Sequence, residues 1–496
     1  MAAAAAAADD DRPTFWGLFF YRALFFLNGL SASTWGRFGV IYYNEVAHLT
    51  PEQIGILQGI TPLISFVMMP CWGALADYCA SRKLVYLFCK GTGTLCLMAL
   101  YLLQRQQQER DHSNSHGSFH LILICMSGMS FFRASGVLDA FVLDYLGPSH
   151  RGLYGTIRLW TAVSWGLGAV LMGWITDAFG FSVNFILFGT MMFTMMTVVG
   201  FGLPARSKKE QVRYDDQRNG GNAITSQEGS AVTTPTTSRH PKPDVLVRAL
   251  CRIPVFLWLF QVIVIGSGMA LVDSFLFVYL QNDLHASTKL CGLTVGITVL
   301  FELPIFHYSQ YLLQTVGHDA LFVVSMTAFA IRAFGYTLLT ESTVYWILPL
   351  EVLHGITFAC MWIASIDFSA AVAPEEWSTT VQTILSATFG CFGNVVGSIL
   401  GGWVMQQYSA EIMYRGMGWI VCGTLIVHLF LWLVCRQGHG SFLRSINDEV
   451  VEHDNRQETE AGRDCLPNVE DEHRTGITDN KGDSEATGST NIVAQV

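Results

Sequence analysis

The sequence predicts an all-α membrane protein built from twelve transmembrane helices. The chain has 496 residues, of which 51% are hydrophobic and only 14% are charged, whereas soluble domains average about 25% charged residues. Apolar runs near the length of about twenty residues needed to cross a bilayer recur along the whole chain. A polar segment divides these runs six and six, which predicts two bundles of six helices.

The predicted helices follow the apolar runs in order. The first begins after the segment MAAAAAAADDDRP, which lacks the basic region of a secretory signal, so we expect this helix to remain in the membrane. The expected bounds are 15–44, 53–76, 84–103, 119–146, 154–178, 181–203, 253–280, 289–314, 319–340, 343–371, 378–406 and 411–435.

Polar segments predict the domain organisation. Residues 204–252 contain SKKEQ and SQEGSAVTTPTTS, which are too polar to bury and predict a flexible cytoplasmic linker. The linker separates an N-terminal bundle at 15–203 from a C-terminal bundle at 253–435. Residues 1–14 and the acidic tail 436–496 are expected to be disordered cytoplasmic ends.

The distribution of lysine and arginine between the loops predicts the orientation. One side collects most of the loop cations, and such an excess is typical of the cytoplasmic side. The members of that group are Arg82, Lys83, Arg151, Arg206, Lys208, Lys209, Arg248 and Arg436. The other side holds Arg105, Arg110 and Lys289. We therefore expect a multi-pass protein with both termini in the cytoplasm, in a plasma or organelle membrane.

Charge and cysteine usage argue against several kinds of partner. The net charge of −10 arises from acidic residues in the tails, so it does not favour nucleic acid. The twelve cysteines show no CxxC pairs and fall mostly in apolar runs. The sequence therefore predicts no disulfide framework, no metal site and no cofactor. It also lacks a G-x-S-x-G, P-loop or H-E-x-x-H motif, so we expect no catalytic residues and no enzyme activity.

The two predicted bundles repeat each other. GILQGIT, which begins at Gly55, resembles GLTVGIT, which begins at Gly292, and WGLGAVLMGW (165–174) resembles FGNVVGSILGGW (392–403). These matches pair the second helix with the eighth and the fifth with the eleventh. A parallel duplication about an axis along the membrane normal gives this pairing, and it favours a site between the halves near the midplane.

Several motifs resemble one large family. PCWGALADYCASRK (70–83), LDAFVLDYLG (138–147), YGTIRLW (154–160) and LHGITF (353–358) are similar to segments of the major facilitator superfamily (MFS). The nearest resemblance is to its lactose-permease-like branch and to the eukaryotic major-facilitator-associated domain proteins. It extends over residues 15–435 and implies the MFS fold and secondary transport by alternating access. It also implies a conformational gate at Asp77, Arg82 and Lys83.

Charged residues inside predicted helices identify a candidate substrate site. An unpaired arginine near the middle of a membrane helix costs roughly 2.5–3.5 kcal/mol, so Arg158 needs a partner. Arg158 lies about 8 Å and Asp139 about 10 Å from the cytoplasmic ends of neighbouring helices, at 1.5 Å per residue. We expect them to pair, either for binding or as a purely structural ion pair. The resemblance adds Trp165, and it implies that this trio binds a sugar.

The C-terminal half contributes Glu302, Arg332 and His354 at midplane positions. The resemblance implies that these residues couple transport to protons, with His354 also contacting the substrate. Two positions depart from the pattern, because Thr357 replaces a second carboxylate and Gly393 replaces a lysine. Glu351 and Asp367 are expected at depths different from that of the missing carboxylate.

Other intramembrane charges have simpler expected roles. Arg133 and Asp273 are expected either to pair with each other or backbone groups, or to bind substrate. Lys289 and Arg415 are expected to reach the membrane interface at the outer ends of their helices.

The sequence therefore predicts a secondary active transporter of a small polar organic solute. A sugar or oligosaccharide is favoured, a nucleoside comes next, and the transport is expected to be proton-coupled. The expected partners are the solute, protons and the lipid bilayer, and the expected oligomeric state is a monomer. The alternatives are an uncoupled uniporter and a transporter-like receptor or scaffold that moves no solute.

Overall fold

The computed structural model describes residues 13–79, 81–110, 115–147, 150, 153–206, 211, 250–251, 253–373 and 378–437. The predicted N-terminal segment 1–14, linker 204–252 and tail 436–496 lie almost entirely outside the described residues.

The described residues form helices in the order that the sequence predicts. Eleven spans among them are long and apolar enough to cross a membrane, and α1, with 21 residues, packs beside α5 and α6 as the first helix. The helices are α1 (Phe15–Trp35), α2 (Pro51–Tyr78), α3 (Arg82–Arg110), α4a (Ser115–Phe131), α4b (Ser135–Leu146), α5 (Tyr154–Phe179), α6 (Ser182–Gly202), α7 (Ile253–Asn282), α8 (Thr288–His307), α9 (His318–Tyr336), α10 (Ile347–Val372), α11a (Ser378–Ala387), α11b (Asn394–Gln407) and α12 (Ala410–Gln437).

Several helices are less regular than the sequence predicts. The fourth is broken between α4a and α4b, and a π-helical turn at Thr388–Gly393 joins α11a to α11b. The first helix ends at Trp35 and not near residue 44, and a short helix at Phe38–Ile41 and a π-helical turn at Tyr42–Val46 follow it. A Cβ on the intervening Gly36 would lie only 2.4 Å from the Trp165 ring. The eighth ends at His307, three residues after Pro304, and a separate short helix follows.

The apolar core of the first bundle lies between α1, α3, α4b and α6. Leu24, Cys89, Val142 and Val199 are fully buried there, one from each helix. Because lipid tails are as apolar as these side chains, close van der Waals packing rather than exclusion of water favours their association.

The start of α1 and the end of α12 lie at the same face of the protein, which is called here the terminal face. Gly17 of α1 lies against Tyr145 near the end of α4b, and Phe20 of α1 lies against Gly202 at the end of α6. His428, late in α12, contacts Gln261, early in α7. The π-helical turn that follows α1 meets the end of α7 at the opposite face, where Asn44 and Asn282 exchange two hydrogen bonds of 2.8 and 3.1 Å.

Close glycine contacts join the halves toward the opposite face. A Cβ on Gly173 of α5 would lie 3.0 Å from the Cα of Gly292 of α8, and a Cβ on Gly402 of α11b would lie 3.1 Å from the Cα of Gly55 of α2. The repeat in the sequence makes these two contacts equivalent. Small residues allow helix backbones to approach this closely, so the halves are in direct contact here.

The terminal face is open between the halves. A cavity of about 640 Å³ lies between α2, α4 and α11a. A Cβ added to Gly73, Gly136 or Gly390 on its walls would meet no atom within 4 Å. The described residues therefore adopt a conformation that is closed toward the opposite face and open toward the terminal face.

Candidate functional site

A cluster of charged side chains joins the two halves near their centre. The Arg37 guanidinium, just beyond the end of α1, donates to the Asp273 carboxylate of α7. Its Nη2 also lies 3.2 Å from Nε2 of His354 on α10. Asp273 is 47% exposed whereas Arg37 is only 14% exposed. Solvent therefore reaches the Asp273 carboxylate more easily than the Arg37 guanidinium.

His354 extends this cluster toward a buried carboxylate. Because the Arg37 guanidinium can only donate, Nε2 of His354 accepts, and the proton of the neutral ring sits on Nδ1. Nδ1 lies 3.4 Å from the Glu351 carboxylate, which is fully buried one helical turn earlier. The Tyr336 hydroxyl donates to Glu351, and Thr298 donates to it at 3.1 Å. These donors compensate for removing a carboxylate from water.

Arg332 and Glu302 lie at the edges of the same cluster. Arg332 is fully buried, and its guanidinium lies over the rings of Phe329 and Tyr336 at 5.1 and 5.8 Å. It interacts electrostatically with Glu351. Glu302 is partly exposed and interacts electrostatically with Arg37 and Asp273. The structure thus brings Glu302, Arg332 and His354 to one place, while their coupling role stays a prediction.

The predicted sugar-binding trio is divided between α4b, which carries Asp139, and α5, which carries Arg158 and Trp165. Arg158 is exposed, and its Nη1 lies 3.2 Å from the Tyr154 hydroxyl. Asp139 interacts with that hydroxyl and, electrostatically, with Arg158. Tyr154 therefore links the two charges. Trp165 lies seven residues after Arg158 on α5, and its ring lies against Gly36, the residue before Arg37.

The predicted gate residues lie at the terminal face. Arg82 forms an ion pair with Asp144 of α4b, and Lys83 donates to the carbonyls of Gly200 and Leu203 at 2.6 and 2.7 Å. A cation is favourable at the C-terminal end of a helix such as α6. The side chain of Asp77 lies outside the described residues. The described contacts of Arg82 and Lys83 stay within the N-terminal bundle, and their gating role stays a prediction.

Three charged residues have partners that the sequence does not predict. Asp273 pairs with Arg37 and not with Arg133. Lys289 pairs with Asp177 of α5 at 2.8 Å, so it joins the two halves at the opposite face. Asp367 pairs with His318 at 3.1 Å, away from the central cluster.

Sequence reasoning missed Arg37 and underweighted Glu351. Arg37 lies in an apolar run, and the argument that identified Arg158 applies equally to it. Glu351 lies three residues before His354, a spacing that places both on one face of a helix. From the sequence, Glu351 is expected only as a replacement for the carboxylate missing at Thr357, and at a different depth.

The fold and its internal charges define a polytopic α-helical protein of the transporter type. Residues 22–416 match the model of the MFS_1 like family, so the chain belongs to that family. The predicted family resemblance and fold class are confirmed.

Relatives and solved structures agree with this assignment. The maltose permease of Geobacillus stearothermophilus is 22% identical over 399 residues, which cover 80% of this chain and 89% of the permease. The Homo sapiens major facilitator superfamily domain-containing protein 6-like is 23% identical over 173 residues, 34% of this chain and 27% of that protein. The crystal structure of nucleoside transporter NupG has a TM-score of 0.64 at 15% identity, covering 84% of this chain and 98% of that chain. That likeness shows the fold, and the family shows a transporter of the MFS type.

Proposed function

We propose that this transporter moves a small polar organic solute by alternating access and couples the movement to protons. The central charge cluster carries the proposal. Arg37 of the N-terminal half binds Asp273 and His354 of the C-terminal half. A contact between halves that rock against each other must change during transport, and buried charges in such a place are rarely retained without a function.

A sugar or oligosaccharide is the favoured solute, and a nucleoside is next. Trp165 offers an indole ring against Gly36, and Arg158 offers an exposed guanidinium beside Tyr154, which also interacts with Asp139. Aromatic faces pack against the apolar side of sugar rings, and guanidinium groups hold hydroxyls. The relative named maltose permease supports the same class of solute.

Protons would act through the central cluster. Protonation of Glu302 or Asp273 would remove a negative charge beside Arg37 and weaken the contact between the halves. Glu351 and His354 would hold a proton deeper in the C-terminal half, where Tyr336 and Thr298 bind the carboxylate. Solute binding and proton binding would then both alter the interactions of one arginine, which is the basis of the proposed coupling.

Uptake into proteoliposomes tests the proposal. Purified full-length protein would be assayed with labelled maltose, lactose, uridine and glucuronate, with and without a pH gradient. We expect uptake of at least one solute above protein-free vesicles, driven by the gradient and abolished by Arg158→Lys but not by the matched Arg105→Lys. Uptake that survives Arg158→Lys would exclude the predicted site. No uptake of any tested solute would contradict transport of this class.

A further inference from the structure

The break in the fourth helix is stabilised by contacts with neighbouring helices of the N-terminal half. α4a ends at Phe131 and α4b begins at Ser135. The carbonyl groups at the end of α4a are satisfied by α2, because Ser65 donates to Ser130 at 3.1 Å and Trp72 donates to Phe131 at 2.6 Å. The rings of Trp72, Phe88 and Phe132 pack around the same point. The acceptor side of the break is therefore held in place.

The donor side of the break lies on the cavity. The first amides of a helix have no acceptor within it and carry a partial positive charge, and α4b has 12 residues. Gly136 in its first turn lines the 640 Å³ cavity, as do Arg133 and Ala134 in the break itself. The side chain of Arg133 is exposed there.

Lys90 adds a second cation to this place. It lies on α3 within range of electrostatic repulsion from Arg133, one turn before Gly93, which faces Met129 and Phe132. Within the described part of the chain, neither Lys90 nor Arg133 forms an ion pair. Asp139, in the same half, interacts instead with Tyr154 and Arg158.

Among the described residues, Arg133 and the N-terminus of α4b face the cavity without an anionic partner, and the Lys90 ammonium nearby lies over the Tyr86 ring at 5.7 Å. Such a place favours an anion supplied from outside the chain. We propose that the break in the fourth helix is an anion subsite, in which Arg133 binds a carboxylate or phosphate group of the solute and Lys90 adds positive charge. Arg133 suits this role because its planar guanidinium binds such groups with two parallel hydrogen bonds.

The opposite wall of the cavity indicates what the rest of the solute is like. Gln382 and Ser386 of α11a line it with an amide and a hydroxyl, while Phe66 and Met69 of α2 supply apolar surface. An acidic group attached to a hydroxylated ring matches these surfaces. The inference rests on the proposed transport function and narrows its solute to sugar acids or sugar phosphates.

Matched probes test the subsite by direct binding to purified full-length protein. Glucose, glucuronate and glucose 6-phosphate share a ring and differ in charge, while acetate and inorganic phosphate supply the anionic group alone. We expect an acidic sugar to bind about ten- to a hundredfold more tightly than glucose, as hydrogen bonds to charged groups would give. This binding should weaken as salt concentration rises.

Variants locate the binding. Arg133→Gln should remove the preference for the acidic sugar over glucose, Lys90→Gln should reduce it, and Arg133→Lys should retain part of it. Arg105→Gln, which removes a cation from an exposed position near the end of α3, should leave the preference unchanged. Binding of glucose to Arg133→Gln, or its unaltered thermal unfolding, would show that this variant is folded.

Three results would be decisive. If no acidic sugar binds better than glucose, or if Arg133→Gln keeps the preference, the anion subsite does not exist. If acetate and phosphate bind as tightly as the acidic sugars, the subsite holds a free anion, and the narrowing to sugar acids and sugar phosphates is wrong. If an acidic sugar binds through Arg133 but is not taken up by proteoliposomes, the subsite stands and the proposed transport fails.

Discussion

Arg37 and Asp273 lie 236 residues apart in the chain and form an ion pair between the two halves of the protein. The same guanidinium contacts His354, so one side chain of the N-terminal half joins two elements of the C-terminal half. The close glycine contacts between the halves lie nearer the opposite face than this pair does. The cavity lies nearer the terminal face. The pair is therefore a charged contact that any movement of one half against the other would change.

Removing this ion pair should stop transport without unfolding the protein. We expect Arg37→Gln to reduce solute uptake to background, because Asp273 and His354 lose their shared donor. The expected loss of stability is about 1–3 kcal/mol, the usual range for a polar group left without its partner. Uptake in proteoliposomes and thermal unfolding measure the two effects. Normal uptake by Arg37→Gln would contradict a role for the pair in transport.

Glu351 provides a test of proton coupling. We expect Glu351→Gln to abolish accumulation driven by a pH gradient, because the amide cannot exchange a proton, while exchange of solute across the membrane persists. The matched control is Glu341→Gln, which changes an exposed carboxylate in the 3₁₀ helix before α10. Counterflow and gradient-driven uptake distinguish the two activities. Equal gradient-driven uptake by Glu351→Gln and the wild type would exclude Glu351 as a coupling residue.

The sequence predicts the fold more completely than it predicts the site. Hydropathy places the spans, and the repeat pairs Gly55 with Gly292 and Gly173 with Gly402. The contacts between halves join members of these pairs crosswise, Gly55 to Gly402 and Gly173 to Gly292. Such contacts follow from local periodicity combined with pseudo-symmetry.

The partners of individual charges are not predictable in the same way. Many charged residues on different helices lie at the same depth in the membrane, but the rotation of each helix about its own axis decides which side chains meet. Arg158 and Asp139 were expected to pair by depth, and the structure places Tyr154 between them. The break in the fourth helix was also missed, because the carbonyl groups that it frees are satisfied by Ser65 and Trp72 of another helix.

The glycine contacts predict how the opposite face is kept closed. Gly173→Leu would place side-chain atoms where the backbone of Gly292 lies, and overpacking of this kind costs about 1–3 kcal/mol. We expect the ratio of open to closed protein to rise roughly 5- to 150-fold. Cys291, which is buried beside this contact, should then react faster with a maleimide, as measured by mass spectrometry.

A matched substitution tests whether this effect is specific to the contact. A Cβ on Gly423 of α12 would meet no atom within 4 Å, so Gly423→Leu should leave the labelling rate of Cys291 unchanged. Equal rates in Gly173→Leu and the wild type would show that this glycine contact does not hold the opposite face closed.

The ionisation of Asp283, which follows the end of α7 at the opposite face, predicts a pH dependence of stability. Its pKa is raised above 3.8 by partial removal from water and then by the nearby negative charge of Glu411. A carboxyl group whose pKa is higher in the folded state favours folding at low pH, and this contribution disappears as pH rises through the folded-state value. Asp283→Asn should therefore raise the unfolding temperature at pH 7 and have little effect below pH 3.8, as thermal unfolding across this range would measure. A constant difference at all pH values would show that ionisation of Asp283 is not its cause.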